Sequence, residues 1–252
     1  MKGEIYQACC IVASAKNALK SGCTYQPVMQ KYVDSTTFTF INRDISFEKN
    51  ISAFNETEWF DKCKAYGLID IKLLIPSKSS ALHLNGFINS VPVSIICFFE
   101  NNKVTYFTPR WDFNNNKKSW NVVFTEYDWP DHPQGKPEFN DNITNFSDAL
   151  LKIENLARKI KCKYFADVFR SSYNTLHTNS ICNNSEQIKL PPDRMNCFEA
   201  AKQCDVFGAM GSWNDDPCGM AEEKGLSDEY EKYSSELYTQ MTLATLYAIN
   251  EW

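Results

Sequence analysis

The apolar positions of this 252-residue chain change their spacing part-way along it. Near the start, Ile5, Cys9, Val12 and Leu19 recur on one face of a 3.6-residue repeat. Gly22 is placed to end that repeat, which predicts a helix. Thr36 to Ile41 reads as a short strand. Glu56 to Tyr66 predicts a second helix, with Asn55 as its N-cap and Gly67 beyond its end, and Leu68 to Ile75 predicts an apolar strand stopped by Pro76. In the middle the period falls to two. Val91, Val93, Ile95, Cys97 and Phe99 alternate, while Ile96 and Phe98 make the other face apolar as well, as in a strand covered on both sides. Two polar turns, Glu100 to Lys103 and Asn114 to Lys118, lead into further alternating runs through Val104, Tyr106 and Thr108 and then through Trp120, Val122 and Phe124. Links this short imply an antiparallel β-meander.

Beyond a proline-bearing loop from Asp128 to Glu138 the spacing becomes helical. Ser147 is placed to cap a stripe formed by Leu150, Ile153, Leu156 and Ile160. Lys163 to Leu176 fits a helix or a strand, and Asn179 to Pro192 a polar loop. Asn196 and Glu199 have capping-box spacing for a helix running to about Phe207. Leu226, Tyr230, Tyr233, Leu237, Met241, Ala244 and Ala248 mark a long final helix with Ser227 as its cap. The expected fold class is therefore α+β, with a central antiparallel β-meander packed against N-terminal and C-terminal helices. A single α+β domain over 1–252 is expected. The alternative is a β-rich half, 1–133, and a helical half, 134–252, divided at the proline loop.

Charge narrows the function classes. The chain carries 26 basic and 31 acidic residues, a net −5. Asp215, Asp216, Glu222, Glu223, Asp228, Glu229 and Glu231 share their window with Lys224 alone, so that segment is acidic and the rest of the chain is close to neutral. Nucleic-acid binding draws on a basic face, and no nucleic-acid partner is expected. No apolar run approaches the ~18 residues of a spanning helix, and no membrane partner is expected. The ten cysteines show no CxxC pair and no regular spacing. They read as reduced, buried residues in a cytoplasmic protein. The rival reading, a secreted disulfide-linked protein, draws on N-x-S/T triplets at Asn50, Asn55, Asn142, Asn145 and Asn183. The segment from Ala8 to Ala15 fits an amphipathic helix better than a signal peptide, because Glu4 and Gln7 interrupt its approach.

Reactive machinery is sparse. The dinucleotide fingerprint, the P-loop, G-x-S-x-G, H-E-x-x-H and the EF-hand loop are all absent from the sequence. With His83, His132 and His177 alone, a Cys97–His83 pair and a metal site at Asp128, Asp131 and His132 are the conceivable chemical sites, and structural roles account better for both. No metal and no cofactor is expected. The unusual stretch is Gly208 to Pro217, which presents Trp213, Asn214 and Asp215 on a glycine-bearing loop: an indole to stack, an amide to hydrogen-bond and a carboxylate to pair a cation. Capping explains Asp216 before Pro217, and Asp228 and Glu229 at the start of the last helix, without explaining Trp213 or Asn214. Trp111 and Trp129, near strand ends, are candidate anchors for a protein partner. Two function classes stand: a cytoplasmic, non-catalytic binding module with a basic protein partner, an immunity-type inhibitor being one version, and a small-molecule hydrolase or transferase with its pocket near 208–217. The sequence leaves the oligomeric state open.

Overall fold

The computed structural model describes residues 1–41, 51–75, 93–129, 135–178 and 188–252. Within them run α1 (Gly3–Ser21), β1 (Val33–Thr39), β2 (Ser52–Ala53), α2 (Glu56–Ala65), β3 (Leu68–Leu74), β4 (Ser94–Phe99), β5 (Val104–Asn114) and β6 (Ser119–Asp128). The helices α3 (Ile143–Lys159), α4 (Lys163–Leu176), α5 (Pro192–Gln203), α6 (Asp216–Glu222) and α7 (Ser227–Asn250) follow. Pro76, His83, Val91, Asp131, His132, Asn50, Asn183 and most of the predicted 179–192 loop lie outside the described residues.

The fold is α+β, and its six-stranded sheet has the order β2-β1-β6-β5-β4-β3. Strands β3 to β6 form the expected antiparallel meander. The sheet as a whole is mixed, because β1 pairs parallel with β6, Phe38 opposite Phe124, and β2 adds antiparallel to β1. Short links fix the direction of neighbouring strands, and β1 reaches β6 through a connection too long to fix anything. The first strand also begins earlier than its sequence pattern suggested, at Val33 rather than Thr36.

The helices correct several cap assignments. Asn55 does cap α2, its Oδ1 accepting the Glu58 amide at 2.8 Å. Ser147 does not cap α3. Asn142 holds that position, and Ser147 lies inside the helix with its hydroxyl donating back to the Ile143 carbonyl at 2.8 Å. Asn196 is internal to α5, its amide donating to the Thr178 carbonyl at 2.7 Å. Leu226 rather than Ser227 occupies the cap of α7, and the ambiguous 163–176 segment is the helix α4.

One face of the sheet carries the main core. Phe38 stacks on Trp59 at 4.8 Å and on Phe124 at 5.1 Å, and Phe107 meets Phe38, Phe40 and Trp59 edge-on. Helix α1 lies against β3 and β4 and also touches α7, so its burial extends around most of its circumference rather than along one stripe. Between α3 and α4, the buried Glu154 carboxylate is held by Arg158 at 2.8 Å and Arg170 at 2.7 Å. A buried carboxylate persists when paired in this way.

The end of α7 is tied to the sheet edge. The Asn250 side chain accepts the Leu73 amide at 2.7 Å and donates to the Leu73 carbonyl at 2.9 Å, standing in for a neighbouring strand. The buried Lys16 ammonium donates to the Asn250 carbonyl at 2.8 Å and lies 4.0 Å from Asp70. Burial lowers the Lys16 pKa from 10.5 to about 8, against the pull of Asp70 and with the push of Lys72 and Lys20. Glu251 pairs with Lys72 at 2.8 Å, and Arg194 donates to the Glu251 carbonyl at 2.8 Å.

Two outcomes follow from this junction. Asn250→Ala removes both bonds and leaves the Leu73 amide and carbonyl unpaired, so urea unfolding is expected to show a loss of about 2–4 kcal/mol. Because Lys16 is less basic in the folded than in the unfolded chain, the unfolded state binds the extra proton between about pH 8 and 10.5. Stability from this group therefore rises with pH across that window. The stability of the native protein measured against Lys16→Met at about pH 7 and about pH 10 is expected to move in favour of the native protein at the higher value.

Candidate functional site

The Gly208 to Pro217 segment is built around a ring that faces inward. Trp213 is fully buried. Its indole N–H donates to the Ser234 hydroxyl at 2.7 Å, and its carbonyl accepts the Tyr230 hydroxyl at 2.6 Å. Phe165 and Phe169 meet it edge-on, at 5.4 and 5.2 Å, and Tyr230 stacks on it at 5.3 Å. Trp213 is therefore the peg that fastens the loop to α4 and α7, not an indole offered to a ligand. The sequence suggested presentation because glycines surround the tryptophan. In the structure, the loop has to turn tightly to drive that large ring inward, and Gly211 supplies the turn with φ +78°.

Asn214 is half-buried and reaches the Gly208 carbonyl at 3.5 Å. Asp215 is exposed, and its carboxylate accepts the Gly211 amide at 2.7 Å, closing the turn. It also takes the cap position of α6, so Asp216 begins the helix instead of capping it. What the loop presents is its rim. Asp215, Asp216, Gly219, Met220 and Glu223 line an open depression of about 390 Å³. Met210, on the same loop, is 93% exposed. Of the seven acids between 215 and 231, Glu229 has an ion pair, with Lys159 at 2.9 Å, and Asp216, Glu222, Glu223, Asp228 and Glu231 have none among the described residues. Desolvation raises the Cys218 thiol pKa, and the charges of Glu222 and Glu231 add to that rise.

The other two candidates do not join this loop or each other. Trp129 sits past the end of β6, its amide bonded to the Val104 carbonyl at 3.1 Å and its ring edge-on to Tyr106 at 6.0 Å. There it helps cover Ile96, Phe98 and Val104 on the sheet face opposite the main core. Trp111 lies toward the other end of β5, on the main-core face, edge-on to Trp120 at 5.8 Å. Seven residues of strand separate Trp111 from the Val104 end, about 23 Å at about 3.3 Å per residue.

A contact with no counterpart in the sequence pattern joins Ser147 and His177, Oγ to Nε2 at 2.8 Å. A hydroxyl beside an imidazole is the beginning of a nucleophile–base pair. Here the serine is 92% buried and also bonds the Ile143 carbonyl. A second feature missed in the sequence is a groove of about 850 Å³ between the last turns of α1 and the 23–29 segment, with Ser14, Asn17, Ser21, Gln26 and Lys189 on its walls. Polar residues at 14, 17 and 21 are its only trace in the helical pattern.

Among the described residues nine cysteines form no disulfide, and six of them are buried. Burial pushes the Cys10 and Cys197 thiols up to about 12 and raises Cys9 and Cys204 well above their usual range, so none of these four is a ready thiolate. Cys97 is buried in β4, and its suggested partner His83 lies outside the described residues. Asp128 is paired with Lys103 at 2.8 Å, and no group of three metal-ligating side chains occurs among the described residues. Asn142 of the N-x-S/T triplets is buried and bonded to Gln240 at 2.9 Å, and the Asn145 triplet uses the buried Ser147. No helix among the described residues is long and apolar enough to cross a membrane. No protein-family model, no curated protein and no solved structure matches the chain.

If Trp213 is a structural peg, Trp213→Ala is expected to cost about 3–5 kcal/mol, read from denaturant unfolding. An indole exposed for ligand stacking would cost under about 0.5 kcal/mol.

Proposed function

We propose that this protein is a non-catalytic binding module that receives a basic protein partner on the acidic segment 215–231. The observation that carries this reading is the contrast inside the segment. It is anchored by flanking groups, Trp213 bonded to Tyr230 and Ser234 and Gly211 bonded to Asp215. Five of its carboxylates meanwhile lack an ion pair among the described residues. Carboxylates held on a fixed frame lose little freedom on binding and raise the association rate with a basic partner. Met210 and Met220 add exposed, adaptable apolar surface beside them. An inhibitor that masks the basic face of a toxin or nuclease is one form of this activity. A cytoplasmic site of action accords with the absence of a disulfide among the nine described cysteines and with the buried Asn142 triplet.

The test is affinity capture with the native protein and with the triple reversal Asp216→Lys, Glu223→Lys, Asp228→Lys. A partner of high isoelectric point is expected on the native protein and absent from the variant. Its association rate is expected to fall about tenfold between about 0.05 and 0.3 M salt. A rate unchanged by salt, or equal capture by the reversed variant, refutes the reading.

A further inference from the structure

We draw no further inference here: the strongest candidate, the groove of about 850 Å³ between the last turns of α1 and the 23–29 segment, has the Asn17, Ser21, Thr24 and Gln26 side chains of its walls already hydrogen-bonded within the chain, and nothing in the structure shows what fills it.

Discussion

The pair of hydrogen bonds between the Asn250 amide and the Leu73 backbone is the joint on which the arrangement of layers depends. It closes the exposed edge of β3 with a side chain in place of a strand, which blocks edge-to-edge pairing there. It also fixes the far end of a 24-residue helix that contacts α3, α5 and α6. Lys16 comes from α1 to the last carbonyl of that helix, so the first and last helices meet at the same point. A charged group at a helix C-terminus is favourable, yet this one is buried, and its lowered basicity records the cost of placing it there.

From that joint the sheet becomes progressively less covered. Near β3 and β4 both faces are packed, with Ile95, Cys97 and Phe99 in the main core and Ile96 and Phe98 in a smaller cluster behind it. Across β5 and β6 the helical cover among the described residues ends before the hairpin does. The main core lies at one side and the Trp111–Phe113–Trp120 rings at the far end of the hairpin, on strands with the same alternation. The far edge, β2, is only two residues long, which also limits strand addition there.

The acidic segment obeys a related logic. The Trp213 ring enters the core and fastens the 208–217 loop ahead of α6, while the five carboxylates without an ion pair among the described residues sit along α6, just beyond it and at the start of α7. The stabilising contacts and the exposed charges thus belong to different residues of one short stretch. This separation allows a surface to be charged without weakening the fold beneath it, because exposed charges in water exert little force on one another at ordinary ionic strength.

Local periodicity was enough to read the meander, the final helix, α2 with its Asn55 cap and the α+β class, because each depends on residues within a few positions of one another. Local pattern also showed that negative charge gathers between 215 and 231. It misjudged Trp213, since a tryptophan among glycines looks the same in sequence whether the loop turns it out or in. It misplaced Ser147 as a cap, because a serine suits both a helix start and a bond back to the preceding turn. The parallel union of β1 with β6, the Asn250 clasp on β3 and the Ser147–His177 contact join positions about 30 to 180 residues apart. No spacing rule reaches that far; only the packing of layers decides which distant groups meet.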